Sequence, residues 1–270
     1  MSTIPSAVIK EAIESGSPAV LGTVLTTDGA LANARVSWDG REVDALTYAI
    51  QAPFHGLCPR GEEVELVRVL LDFGADADWD ATTDPRGETP LMSAVSLYEG
   101  GMVEELISRG VDLERQGAIV DGGTALDNGV AFAATREIDR LIAAGARTGT
   151  SFRAAGAGKV EELRGFLADE APRGRDLVAA TMNARLDCLA ALIDAGADPR
   201  GRYEDATLLH WAAWHGRVDV VEHLLGLGLD PDAKDTNYDL TPKGWALYRR
   251  DEKKWPFPDG LTAVIERLEA

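Results

Sequence analysis

The chain has 270 residues, of which 45% are hydrophobic, 27% charged and 6% aromatic, and its formal net charge is −18. This composition is ordinary for a soluble protein, and the negative charge argues against nucleic acid as a partner because it repels phosphates. No long apolar run follows Met1, which argues against secretion and membrane insertion, and two cysteines are too few for a disulfide framework. We therefore expect a cytoplasmic protein.

The N-terminal segment predicts two short helices, at about residues 5–15 and 18–26, followed by the string DGALAN at 28–33. We assign residues 1–35 to an atypical first unit that caps a longer array. A terminal unit of such an array must turn a polar face to solvent.

The next unit, residues 36–81, pairs a short helix at 45–50 with a clear amphipathic helix at 63–73. Between them, residues 53–62 contain two prolines and two glycines. Such a segment predicts a loop insertion.

The middle of the chain continues the helix-pair pattern in four units: 82–115, 116–149, 150–172 and 173–201. In the first of them Thr89 is placed to cap a helix, and Pro90 occupies the first helical position, where its missing N–H costs nothing. The unit at 150–172 is degenerate: we identify neither a cap nor a terminal glycine there, and we predict that it opens before the others.

The unit at 202–234 has the clearest pattern. Thr207 stands at a helix N-cap, a short helix stops at Gly216, and a second helix ends at Gly228. The last unit, 235–270, begins its helix at Thr241-Pro242 and is interrupted by an insertion at 251–260.

The segment Thr207–Lys234, TLLHWAAWHGRVDVVEHLLGLGLDPDAK, resembles an ankyrin repeat. Its T-L-L-H-W-A stands where that family has T-P-L-H-x-A, with Leu208 in place of proline. The resemblance implies an all-α solenoid of about eight stacked helix-turn-helix units with a concave groove, several of them degenerate, in a single domain over residues 1–270. It also implies a protein that binds other proteins through the groove and the loop tips. Well-capped ends of the array would favour a monomer.

The sharpest local feature is aromatic. Trp211 and Trp214 share one helix face, and Trp245 and Tyr248 each follow their counterpart by 34 residues. Because stacked repeats bring equivalent positions side by side, we expect one aromatic patch. Residues predicted to border it are Met182, Asn183, His215 and Arg249.

Two interpretations of this patch stay open. Large aromatic side chains and arginine are frequent anchors of protein interfaces, which favours a partner-binding site. Alternatively, the rings pack on one another and on the insertion at 251–260 and simply close the C-terminal end of the array.

Other candidates carry weaker signals, and we predict no metal and no cofactor. His210 falls on the family's histidine position, which implies structural hydrogen bonds to neighbouring loops rather than catalysis. His55 and Cys58 could form half a zinc site, but no second pair follows in the sequence. The glycine-rich string at 154–160 lacks the Ser or Thr that a phosphate loop needs after its lysine.

We therefore predict a non-enzymatic protein-interaction module. The acidic loop tips would attract a basic partner, and a narrower version of this hypothesis is an inhibitor or immunity-type protein that neutralises a basic enzyme. The alternative is a recruited enzyme or small-molecule-binding protein with its pocket near the aromatic patch and His215 as acid or base.

Overall fold

The computed structural model describes residues 4–79, 88–117, 120, 122–252 and 259–269. Within these ranges the chain forms sixteen α-helices, one 3-10 helix and one two-stranded hairpin. It divides into two compact units, residues 1–146 and 147–270. The boundaries of the eight predicted repeats within a single domain stay a prediction.

The first unit contains the elements up to residue 143. In chain order they are α1 (Ile4–Glu14), α2 (Pro18–Thr27), a 3-10 helix (Gly29–Asn33), β1 (Arg35–Trp38), β2 (Arg41–Asp44), α3 (Ala45–Gln51), α4 (Glu63–Asp72), α5 (Pro90–Ser96), α6 (Gly100–Ser108), α7 (Ala125–Ala131) and α8 (Thr135–Ala143). Helices pair as α3–α4, α5–α6 and α7–α8; the first helices of the pairs stack on one another, and so do the second helices.

The second unit repeats this arrangement. Its helices are α9 (Ser151–Ala157), α10 (Val160–Asp169), α11 (Gly174–Met182), α12 (Leu186–Asp194), α13 (Leu208–Trp214), α14 (Val218–Gly226), α15 (Pro242–Asp251) and α16 (Leu261–Arg267). Helices α9, α11, α13 and α15 stack in that order, and α10 packs on α12 and α14 on α16. The predicted all-α architecture of stacked helix pairs is confirmed.

The hairpin β1–β2 was not predicted. It pairs Val36 with Val43, both fully buried, and its turn is Asp39-Gly40, both with positive φ. An Asp-Gly pair between two short extended runs favours the turn type that matches strand twist. A hairpin is thus inserted ahead of α3 in an otherwise helical unit.

The expectation that the unit at 150–172 lacks a cap is wrong. Thr150 is the N-cap of α9, and its hydroxyl accepts a hydrogen bond from the Arg153 N–H at 3.2 Å. The threonine lies outside the helical pattern by one residue and is easily missed, because a cap has extended rather than helical backbone angles.

Candidate functional site

The candidate site is built on α13, whose start is fixed by a capping box. The Nδ1 atom of His210 lies 3.2 Å from the Thr207 N–H and 2.8 Å from its hydroxyl. The Nε2 atom lies 3.0 Å from the carbonyl oxygen of Leu240. Accepting from a backbone N–H leaves Nδ1 without a proton, so a neutral His210 donates from Nε2 to Leu240.

His210 is fully buried, and burial lowers its pKa, which keeps the ring neutral. The predicted structural role of this histidine is confirmed: it ties the first turn of α13 to the loop that precedes α15. That loop forms one wall of the site.

The four predicted aromatic rings lie together. The centroid of the Trp245 ring is 5.5 Å from that of Trp211 and 5.9 Å from that of Trp214, both edge to face. Trp214 and Tyr248 are stacked with centroids 6.1 Å apart. The spacing of 34 residues along the chain therefore places the rings side by side on α13 and α15.

Two of the three indoles are held by hydrogen bonds at their nitrogen atoms. Trp211 Nε1 donates to the carbonyl oxygen of Tyr203 at 3.2 Å, and Trp245 Nε1 donates to Oδ2 of Asp235 at 3.0 Å. Both N–H groups are directed at the surrounding loops. The rings are thereby fixed in orientation and offer mainly their carbon surfaces to one another and to solvent.

Asp235 organises the loop beside these rings. Its Oδ1 accepts from the N–H groups of Asn237 and Tyr238, and its Oδ2 accepts from the Leu240 N–H and the Trp245 indole. Burial by itself would raise the pKa of Asp235, but these hydrogen bonds hold the pKa below its usual value. Asp235 is therefore negatively charged at neutral pH, and its carboxylate lies beside the indole nitrogen of Trp245.

The rings and this loop enclose an open pocket of about 540 Å³. It is lined by Trp211, Trp214, Tyr238, Leu240, Trp245, Tyr248 and Glu252. Tyr238 and Tyr248 are 73% and 57% exposed, so they form the rim, whereas the three indoles are only partly exposed and form the floor and walls. We call this the aromatic pocket.

Arg249 supports the aromatic pocket from behind. It is 6% exposed, its guanidinium carbon lies 5.2 Å from the centre of the Trp214 ring, and its Nη1 lies 3.6 Å from the Glu252 carboxylate. The Trp214 ring thus already holds one cation of this chain against its π system.

Four residues predicted to border the patch do not line the pocket. Arg249 does border the patch, since its guanidinium contacts the Trp214 ring, but burial makes the predicted partner contact wrong for Arg249, Met182 and Asn183. Arg249, Met182 and Asn183 are buried. Met182 and Asn183 end α11 one repeat earlier; the Met182 carbonyl accepts from Arg217 Nε at 2.6 Å, and Asn183 Nδ2 bonds to Ala179 O at 2.9 Å. Stacking of the next repeat covers these positions.

His215 is the fourth. It is the C-cap of α13 and lies outside the pocket lining. Burial, with help from the positive charges of Arg217 and Arg249, lowers its pKa to about 3. The ring is therefore neutral at physiological pH, and the hypothesis of His215 as acid or base in the pocket loses its geometric basis.

Sequence reasoning missed Tyr238, Leu240, Glu252 and Asp235. The first two belong to a loop with no periodic pattern, and Glu252 directly follows α15. The sequence did contain one signal for this loop, Asp235. An Asp in a loop commonly accepts hydrogen bonds from backbone N–H groups a few residues further along the chain, and so fixes a turn.

The alternative of a structural seal depends on the insertion at 251–260. Residues 253–258 lie outside the described residues, so this packing stays a hypothesis. In the described part of the chain, Tyr238 and Tyr248 at the rim are exposed to solvent.

The remaining candidates offer no second site. His55 packs its ring against Trp38, with centroids 4.8 Å apart, and Cys58 is buried nearby. Within the described ranges, no group of three or more His, Cys, Asp or Glu side chains could hold a metal ion. No helix in the described part of the chain is long and apolar enough to cross a bilayer.

Comparison with known families matches two parts of the chain. The family described as ankyrin repeats (three copies) matches residues 152–235, and the family described as ankyrin repeat matches residues 86–118. The first match runs from the second residue of α9 past the end of α14, and it includes Trp211 and Trp214 of the aromatic pocket.

Several curated relatives match over about one quarter of the chain. Putative palmitoyltransferase ZDHHC13 of Danio rerio is 36% identical over 73 residues, which is 27% of this chain and 11% of that protein. Palmitoyltransferase ZDHHC17 of Homo sapiens is 36% identical over 72 residues, 26% of this chain and 11% of that protein. The chain thus matches about a tenth of the length of these relatives. Among solved structures, the human ASB11 ankyrin repeat domain covers 95% of this chain and 96% of its own at 19% identity and a TM-score of 0.47.

Proposed function

This chain is an ankyrin-repeat protein, and we propose that it is a protein-interaction module whose partner binds at the aromatic pocket. One observation carries the proposal: three indoles form the walls of an open pocket whose rim consists of the exposed Tyr238 and Tyr248. Aromatic side chains of this kind are the commonest anchors of protein interfaces.

Two side chains of the pocket are already ordered in the unbound protein. The indole hydrogen bonds to Asp235 and to the Tyr203 carbonyl fix two of the rings, so little side-chain freedom is left to lose on association. Pre-ordered side chains lower the entropic cost of binding.

The charge of the chain favours a basic partner. Acidic residues outnumber Lys and Arg by 45 to 27, and exposed carboxylates occupy the loop tips at Asp198, Asp230 and Asp232. Such a surface accelerates encounter with a basic protein, and the effect is screened over about 10 Å at 0.1 M salt. An inhibitor or immunity-type role towards a basic enzyme is the narrower form of this proposal.

The test is capture of proteins from host lysate by the immobilised chain at low and high salt, with Tyr248→Ala and Tyr238→Ala beside the wild type. Both tyrosines lie on the rim, so these substitutions leave the packed floor intact. We expect a specific protein that is captured by the wild type and lost in both variants. Phe73→Ala is the matched control, since Phe73 is a 38% exposed aromatic residue of the first unit. Equal capture by all four proteins would refute the proposal.

A second candidate function is binding of a small molecule. The pocket volume of about 540 Å³ favours it, because small-molecule sites commonly measure about 300–1,000 Å³. Two results together would support this candidate over the first. A metabolite fraction would raise the melting temperature of the wild type but not of Tyr248→Ala, and the immobilised wild type would capture no protein.

A further inference from the structure

We propose that the aromatic pocket binds an N-methylated ammonium group, presented by a methylated lysine of the partner. The source of the group rests on the proposed function, whereas its chemistry rests on the pocket alone. Three indoles, two phenol rings and one carboxylate line the pocket.

The aromatic walls supply negative electrostatic potential through their ring faces, which carry no formal charge. The faces of aromatic rings are negative, so a cation within about 6 Å of a ring centroid is attracted, most strongly by Trp. The pocket concentrates five such rings around one volume. Arg249 at 5.2 Å from the centre of Trp214 is a direct instance of this attraction within the chain.

Two carboxylates add to this potential. Glu252 lies in the pocket wall, and Asp235 accepts the indole hydrogen bond of Trp245 at 3.0 Å. A hydrogen bond to an ionised acceptor is stronger than one between neutral groups. Because the carboxylate draws the indole proton towards itself, the Trp245 ring becomes more electron-rich. Arg249, the described cation beside Trp214, is buried and paired with Glu252, and it does not line the pocket.

The shortage of hydrogen-bond acceptors distinguishes a methylated ammonium from an unmodified one. A lysine ammonium carries three N–H donors and a guanidinium five, and each donor loses a water on entering the pocket. Among the lining side chains, only Glu252 and the two phenol oxygens accept hydrogen bonds. A trimethylammonium has no donors, so it keeps the cation–π attraction without leaving an N–H unsatisfied.

The exposed rim favours a side chain over a free metabolite. Tyr238 and Tyr248 stand at the open mouth, where they can flank the four-carbon stem of a lysine that projects from another surface. Exposed loop-tip carboxylates of the same unit, Asp198, Asp230 and Asp232, attract a lysine-rich segment towards it.

The experiment follows tryptophan fluorescence of the full chain, because Trp211, Trp214 and Trp245 line the pocket. The probes are choline and 3,3-dimethylbutan-1-ol, which replaces the charged nitrogen with carbon and keeps the shape. A second pair is a pentapeptide with a central trimethyllysine and the same peptide with lysine. We expect choline to bind at least about tenfold more tightly than its neutral analogue, and the methylated peptide to bind more tightly than both choline and the unmodified peptide.

Matched variants test the cause. Tyr248→Phe keeps a π face, so the ratio of affinities for choline and its neutral analogue should stay the same. Tyr248→Leu keeps apolar area without a π face, so this ratio should fall severalfold. Glu252→Gln should lower the affinity for choline and leave the affinity for the neutral analogue unchanged. Trp79→Ala, in the first unit, is the control that leaves all affinities unaltered.

The outcomes separate this inference from the proposed function. Equal affinity for choline and its neutral analogue overturns the inference, even if Tyr248→Ala still abolishes capture of a partner, in which case the proposed function stands. Tighter binding of choline than of the methylated peptide overturns the assignment to a partner's lysine. Preference for the methylated peptide together with unchanged capture by Tyr248→Ala supports the pocket chemistry and refutes the proposed role of the pocket in capture.

Discussion

Replacement of Asp235 by Asn is expected to destabilise the second unit strongly. The two carboxylate oxygens accept four hydrogen bonds: two backbone N–H groups at Oδ1, and the Leu240 N–H with the Trp245 indole at Oδ2. An asparagine offers one oxygen and one NH₂ group. In either orientation of the amide, two of the four donors face another donor.

The magnitude follows from those two lost bonds. Asp235 is 4% exposed, so solvent cannot replace them. A hydrogen bond to a charged acceptor contributes about 1.5 kcal/mol or more, so the loss of two predicts a cost of about 3 kcal/mol in the free energy of unfolding. With a urea slope of about 2 kcal/mol per M, the midpoint of unfolding should fall by about 1.5 M.

The assay is urea denaturation followed by tryptophan fluorescence and circular dichroism. Asp230→Asn is the matched control, because Asp230 is exposed and its Oδ1 accepts a single backbone N–H, that of Asp232, at 2.9 Å. Its midpoint should change little. A cost below about 1 kcal/mol for Asp235→Asn would refute the account of this loop as held by the carboxylate.

The same variant carries a pH signature. The pKa of Asp235 is held below its usual value in the folded chain. Its contribution is therefore fully present above the unfolded pKa of about 3.9 and is lost as the pH falls through the lower folded value. The difference between wild type and Asp235→Asn should be constant from about pH 7 to 5 and shrink below about pH 4.

Three further predictions concern the rest of the second unit. Because the pKa of His215 is about 3 in the folded chain and about 6.5 in the unfolded chain, this histidine should cost about 1.4 kcal/mol of stability per pH unit as the pH falls below about 6.5. His215→Gln should remove this loss, and unfolding curves of both proteins at pH 6 and pH 5 check it. Thr150→Ala should cost about 1 kcal/mol in urea unfolding through loss of its cap, and an unchanged midpoint would speak against that role. Hydrogen exchange at 151–167 should be faster than at 208–225, since α10 buries only Leu163 whereas α14 buries Val220, Val221 and Leu224; equal protection would contradict this.

The sequence by itself determined the helix pairs of the second unit and the neighbourhood of its aromatic rings. Thr207 and the glycines at 216 and 228 mark helix ends through local backbone preferences, which do not depend on the rest of the chain. The separation of 34 residues between Trp211 and Trp245 fixes their adjacency, because stacked repeats superpose equivalent positions.

One missed element was also local. Asp39-Gly40 lies between the paired strands β1 and β2, and this dipeptide is a strong hairpin signal. The helical interpretation of the unit at 36–81 overrode it. The hairpin was therefore within reach of sequence reasoning.

Only the tertiary structure decided which of the predicted residues are open to solvent and which loop completes the pocket. Asn183, the C-cap of α11, and Arg249, on α15, are polar, yet they are buried because neighbouring elements pack over them. Tyr238 and Leu240 reach the rings through hydrogen bonds that join Asp235 to Trp245 and His210 to Leu240, over 10 and 30 residues of chain. Periodicity describes one helix at a time, whereas burial and loop conformation depend on contacts between elements that are distant in sequence.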